Sequence, residues 1–200
     1  MYKMKKNLNQ KLIHLIEYYQ LVNADILFAN SPINRNIKKE RTLDNTSKKK
    51  KLEKLKHSIK NIKNCELKKN ANNLVFSDGN INSKIMIIGE GPGAQEDLEG
   101  IPFVGRAGKL LDKMLEAINL NRNKVYISNV VNYRPPSNRK PNDEEINRYF
   151  PYLQSHIEII NPKILLLLGA TALKAIMGDD ETISKARGRW LEKNIGLAKP

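Results

Sequence analysis

From residue 71 onward the sequence alternates short β-rich apolar runs with longer runs of helical spacing, and that alternation restricts the chain to few folds. Asn73–Phe76 and Lys84–Ile88 read as strands, and the second (KIMII) is apolar on both faces, as a central strand must be. Ala107–Leu120 sets Leu110, Leu111, Met114, Leu115 and Ile118 on one helical face. Lys124–Val131 (KVYISNVV) is rich in β-branched and aromatic residues. Asn142 followed by Glu145 is a capping box for a helix carrying Ile146, Phe150, Leu153, Ile157 and Ile160. Lys163–Leu168 reads as a further strand and Ala170–Met177 as a short helix stopped by Gly178. Strand–helix repetition of this kind predicts an α/β fold with a mainly parallel central sheet and helices on both faces. Ligands of such folds bind beyond the carboxyl ends of the strands.

The first 70 residues have a different character. They hold 18 Lys/Arg against 6 Asp/Glu, a charge of +12 out of +14 for all 200 residues. A basic arm on a near-neutral domain suits a polyanionic partner, nucleic acid first, and a solvated tether is the plainer alternative. Leu8, Leu12, Leu15, Tyr19 and Val22 have amphipathic helical spacing, whereas 31–63 loses periodicity and reads as a lysine-rich linker ending in a short helix. The single cysteine, Cys65, excludes an intramolecular disulfide and any site built from several thiolates of one chain. The longest apolar run, Ile164–Leu168, is far too short to span a bilayer, and the basic N-terminus lacks a signal-peptide pattern. A soluble protein of a reducing compartment is the expectation, with no membrane partner.

Three segments carry candidate chemistry. Gly89-Glu90-Gly91-Pro92-Gly93-Ala94-Gln95-Glu96-Asp97 directly follows the central strand. Its letters satisfy a dinucleotide-binding G-x-G-x-x-A pattern, but Pro92 removes an N–H and Glu96 and Asp97 put negative charge where a pyrophosphate would lie. Ile101-Pro102-Phe103-Val104-Gly105-Arg106 places an aromatic ring in a loop, where it can stack on a base or anchor the loop. Ser128-Asn129-Val130-Val131-Asn132-Tyr133-Arg134-Pro135-Pro136-Ser137-Asn138-Arg139 runs from a strand end into a proline-stiffened loop. The Asn129 carboxamide offers one acceptor and two N–H donors, which suits a pyrimidine edge and equally suits loop backbone.

Together these segments, with CELKKNANNLVFSDGN, NPKILLLLGATA and ISKARGRW, resemble the family 4 uracil-DNA glycosylases, the iron–sulfur branch of that superfamily, from about Cys65 to Trp190. The resemblance implies a three-layer α/β/α enzyme that flips deoxyuridine out of DNA and hydrolyses its N-glycosidic bond in base excision repair. It implies that Phe103 stacks on uracil and Asn129 reads its edge, that Glu90 and Gly91 line the pocket, and that Glu96 and Asn138 form a polar pair supporting catalysis. Gly91 stands where sister families carry a water-activating Asp, so no general base follows from this motif. Arg106, Arg134 and Arg139 are the expected DNA-contacting cations. The implied organisation is a helical extension over 1–30, a basic linker over 31–63 and a glycosylase-like domain over 64–200, working as a cytoplasmic monomer on uracil-containing DNA.

The chain departs from the family pattern twice. The family's [4Fe–4S] cluster uses four cysteines; here Cys65 alone remains at a metal-ligand position, and the other three read Ile62, Tyr133 and Tyr149. One thiolate cannot hold such a cluster, so no cofactor is expected, and the replacements are expected to pack the vacated volume. The family also has a His-Pro-Ser/Ala segment beyond the RGRW stretch, and the sequence ends at Pro200 before it. The expectation is therefore a sheet lacking its last strand and helix, with weak or absent excision. A DNA-binding protein that keeps the pocket without the chemistry is the rival expectation.

Overall fold

The computed structural model describes residues 37–200 apart from 180, 197 and 199, with side chains from residue 46 onward. Contacts divide the chain into Met1–Thr42 and Leu43–Pro200, and the architecture is that of the second unit. The helix expected over 8–22 and the extension over 1–30 lie outside the described residues.

The elements are α1 (Ile37–Lys60), α2 (Glu66–Asn70), β1 (Asp78–Gly79), β2 (Ile85–Gly89), α3 (Ala94–Glu99), α4 (Arg106–Ala117), β3 (Tyr126–Asn129), α5 (Asp143–Ile160), β4 (Ile164–Leu167), α6 (Ala170–Met177) and α7 (Ile183–Ala186). The sheet order is β1-β3-β2-β4. β2 is central as its apolar sequence predicts, pairing in parallel with β3 (Gly89 opposite Asn129) and with β4 (Ile88 opposite Leu167). The two-residue β1 runs antiparallel to β3.

Strand alternation divides the core between the two faces of the sheet. Met86 and Ile88 join Tyr126, Leu153 and Ile157 in the larger cluster, while Ile87 joins Leu111, Leu115, Val125 and Ile127 in the smaller. Each such fully buried side chain contributes about 1.5–3 kcal/mol relative to exposure. This is the expected α/β/α arrangement. No helix among the described residues is long and apolar enough to cross a membrane.

Three local expectations are corrected. Asn73–Phe76 is not a strand, because its groups bond elsewhere. The Asn72 and Asn73 amides donate to the buried Asp97 carboxylate at 2.9 and 3.1 Å, and Val75 exchanges bonds with Asn132 alone. On α4 only Leu111 and Leu115 face the sheet, and Leu110, Met114 and Ile118 are about 60% exposed, so the apolar stripe is wider than the buried one. The largest correction is to the linker: residues 37–60 form one 24-residue helix. Leu52, Leu55 and Ile59 are buried in the larger core at three/four spacing, and Lys48 Nζ donates to the Ile160 carbonyl at 3.1 Å. Lysine is a good helix former, and three well-placed apolar residues suffice to dock the helix.

Candidate active site

The carboxyl ends of β2, β3 and β4 come together at one edge of the sheet, and the three motif segments meet there. Gly89 ends β2 beside Asn129, which ends β3. A Cβ built on Gly89 would stand 2.5 Å from Asn129 Oδ1 and 2.5 Å from Phe103 Cζ. Only a bare Cα lets the ring and the carboxamide converge there. Asn129 is 3% exposed, and among the described residues its carboxamide has no hydrogen-bond partner. Its amide atoms are not sealed from solvent, so their donors and acceptor stay open to a ligand.

Phe103 is half-buried and has φ +56°, the left-handed region that non-glycine residues seldom occupy. Two fixtures hold its backbone. The Phe103 carbonyl presses against α4 at Gly108, where any Cβ would lie 1.7 Å from that oxygen. The Glu96 carboxylate accepts the amides of Gly93 (3.1 Å), Val104 (3.0 Å) and Gly105 (2.8 Å), joining the start of α3 to the loop after Phe103.

These bonds correct the expected Glu96–Asn138 pair. Both Glu96 oxygens serve loop backbone, and Asn138 Oδ1 accepts from Arg134 Nε at 2.8 Å. Asn138 and Ser137 have φ near +55°, so the 133–140 loop is itself tightly turned. Glu90, one residue past β2, accepts a hydrogen bond from the Thr171 hydroxyl at the start of α6. Gly91 lies against Val131, whose Cγ2 would be 2.7 Å from a Cβ there. The close approach brings the β2 loop onto the β3 loop.

Of the three arginines, Arg106 is exposed at the first turn of α4 and Arg134 is half-buried against Asn138. Arg139 is engaged in a fork with Glu145, at 2.7 and 2.6 Å, and its guanidinium holds the Glu145 carboxyl below the usual range. No local pattern marks Thr171 or Arg122 as a site residue. Thr171 stands in the GATA string after an apolar strand, and Arg122 lies outside every motif.

Of the four positions that the resemblance assigns to cluster ligands, three are buried and Ile62 is partly buried. Cys65, Tyr133 and Tyr149 are buried in the larger core with Ile62 packed against them, and Cys65 Sγ lies 3.3 Å from the Tyr149 hydroxyl. Burial and the neighbouring Cys65 both raise the Tyr133 and Tyr149 hydroxyl pKa values, so both phenols are neutral. One sulfur, two neutral phenols and an aliphatic chain do not supply the four thiolates that four irons and four sulfides need. These residues do not fit the cluster.

The sequence matches the model of the "Uracil DNA glycosylase superfamily" over residues 76–198. It is 45% identical over 137 residues to a type-4 uracil-DNA glycosylase of Thermotoga maritima, covering 66% of this chain and 71% of that protein. It is 46% identical over 143 residues to a type-4 uracil-DNA glycosylase of Sulfurisphaera tokodaii, covering 69% of this chain and 65% of that protein. A type-5 uracil-DNA glycosylase of Pyrobaculum aerophilum is 28% identical over half of each chain. The matched stretch thus spans about two thirds of the length of its type-4 relatives. On this agreement of motif, fold and sequence, the chain belongs to the uracil-DNA glycosylase superfamily, among the type-4 enzymes.

Proposed function

We propose that this chain excises uracil from DNA by hydrolysing the N-glycosidic bond of deoxyuridine. The observation that carries the reading is the Asn129 carboxamide, which makes no hydrogen bond among the described residues and stands beside the Phe103 ring at Gly89. A base lifted from the stack finds there an aromatic face and one amide able to donate to a carbonyl and accept from an imide N–H. Extrusion costs a few kcal/mol, least for a mismatched or unpaired uracil. Glycosidic cleavage separates charge into an oxocarbenium-like sugar and a uracil anion, and a pre-aimed Asn129 N–H stabilises the anion as it forms. Glu90, steadied by Thr171, places a carboxylate at the same strand ends, where it can balance the sugar cation. Glu96 acts through the backbone it binds, holding the Phe103 loop.

Arg106 and Arg134 are the cations left to meet phosphates, whereas Arg139 is occupied by Glu145. The donor set at Cys65, Ile62, Tyr133 and Tyr149 supports a protein that folds without an iron–sulfur cluster; stoichiometric iron in the purified chain overturns that. The same reading makes it a cytoplasmic monomer with uracil-containing DNA as its partner, and light scattering tests the monomer. The deciding assay is release of uracil from a single-stranded oligonucleotide with one deoxyuridine, against Asn129→Ala. The separate engagements of Glu96 and Asn138 favour one alternative, a protein that binds such DNA without cleaving it. Uracil-dependent binding with no release would establish that alternative.

A further inference from the structure

Arg122 belongs to no motif, yet its guanidinium makes more contacts than any other cation around the site. It lies in the 3-10 turn Arg122–Lys124, four residues ahead of the strand that ends in Asn129, with Asn121 capping the turn. One amino group donates to the Pro102 carbonyl at 3.1 Å and to Asp78 Oδ2 at 2.8 Å, and the other donates to the Phe103 carbonyl. Nε donates to Asp112 Oδ1 at 2.8 Å.

The four partners lie on three different parts of the fold. Asp78 is in β1, held against β3 opposite Ile127; Asp112 is in α4; Pro102 and Phe103 form the loop that carries the ring. The Phe103 carbonyl is therefore caught between Gly108 of α4 and the guanidinium of Arg122. A left-handed non-glycine residue persists only where its surroundings over-determine it, and here two carbonyl contacts and two aspartates do so. The planar five-donor fork suits such a task, which a lysine ammonium cannot span.

We propose that Arg122 is a positioning residue that sets the distance between the Phe103 ring and the Asn129 carboxamide, and so the uracil-stacking platform. It touches no substrate. The inference deepens the glycosylase reading and rests on it for its kinetic consequence, while the clamp itself is testable alone.

The test joins a mutant cycle to amide hydrogen exchange. Arg122→Ala is expected to lower kcat/KM on the deoxyuridine oligonucleotide by about 10–100-fold, in line with the cost of a misplaced binding group. Adding Phe103→Ala to it is expected to cost no more than about twofold beyond Phe103→Ala by itself, since the clamp acts only through the ring. Amides of Ile101 and of 103–105 are expected to exchange faster in Arg122→Ala, with those of 126–129 unchanged. Arg122→Lys keeps a charge for the two aspartates and is expected to fold and to reproduce the loop exchange if the alanine variant does not fold. Multiplicative losses in the cycle, or unchanged exchange at Ile101 and 103–105, overturn the proposal. If the wild-type chain releases no uracil, the glycosylase reading falls and the exchange measurement alone decides the clamp.

Discussion

The strand-end site and the position that the resemblance assigns to a cluster solve opposite problems within one domain. At the strand ends, Gly89, Gly91 and Gly108 admit close approaches, Phe103 is held in an uncommon backbone conformation, and the Asn129 carboxamide makes no hydrogen bond among the described residues. At the other position, Ile62, Cys65, Tyr133 and Tyr149 pack in the larger core, and Cys65 Sγ pairs with the Tyr149 hydroxyl. The first arrangement keeps a carboxamide open beside an aromatic ring and suits a ligand, whereas the second fills the core with side chains and suits stability. A metal cluster whose work is to pin segments together can be replaced by packed side chains. A carboxamide aimed at a base has no apolar substitute.

That contrast predicts that damage at the two places appears in different measurements. The largest effect is expected from Tyr149→Ala, which removes a fully buried ring from the core. Unfolding free energy should fall by about 3–5 kcal/mol, as for other buried aromatics cut to alanine, while excision per folded molecule is kept. A loss below about 1 kcal/mol in denaturant titrations would show that the position is loosely packed and break the comparison. Next comes Asn129→Ala, expected to lower the excision rate by about 10²–10³, about 2.7–4 kcal/mol of barrier, with the melting temperature unchanged or raised. A melting temperature that drops with activity would make Asn129 a structural residue like those at the core.

His156 offers a pH test of the structural side. It is wholly buried, stacked on Phe76 at 4.6 Å between ring centres, and its Nε2 lies 2.7 Å from the Tyr126 hydroxyl. Burial lowers its pKa from 6.5 to about 3. The unfolded chain therefore binds a proton below pH 6.5 that the folded chain refuses until about pH 3. The stabilisation is complete above 6.5 and is lost as pH falls toward 3, amounting to about 2 kcal/mol between pH 7 and pH 5. Equilibrium unfolding at the two pH values should show that difference, and His156→Gln should remove most of it. A stability unchanged by pH in the wild type would mean that the ring is not kept neutral by the core.

The two regions also differ in how far sequence reveals them. The strands β2, β3 and β4 and the capping box at Asn142–Glu145 follow from local patterns, apolar runs and capping residues, whereas the joint placing of Phe103 and Asn129 follows only from the family resemblance. Arg122 and Thr171 escape because their partners are backbone carbonyls and a distant carboxylate that only the folded sheet brings near. The Glu96–Asn138 pair fails for a related reason. Glu96 is three residues beyond the N-cap Gly93, and local capping takes its carboxylate before any long-range partner can. Helix α1 escapes because its docking face is three residues wide in a run of lysines, so hydropathy reports the solvent side and the buried stripe goes unnoticed.

That lysine-rich helix is where the comparison can be sharpened by the smallest effect. Leu52, Leu55 and Ile59 tie α1 into the same core as Cys65 and Tyr149, so on packing alone it belongs to the structural side. Its outer surface nevertheless exposes Lys49, Lys50, Lys51 and Lys54, and Glu53 is the only acidic side chain among residues 46–60. If those ammonium groups meet duplex phosphates, each contact should contribute about 0.9 to the slope of log K against log salt. Replacing all four by glutamine keeps helix propensity and leaves the buried face untouched. Binding of uracil-containing duplex, measured from low to physiological salt, should then weaken, and its slope should flatten by about 0.9 for every contact removed. Excision from a short single strand at saturating enzyme should stay the same, because none of the four lines the pocket. An unchanged slope would leave α1 with the packed residues as a solvated structural helix, whereas a flattened one would give the structural side of the domain a second task on DNA.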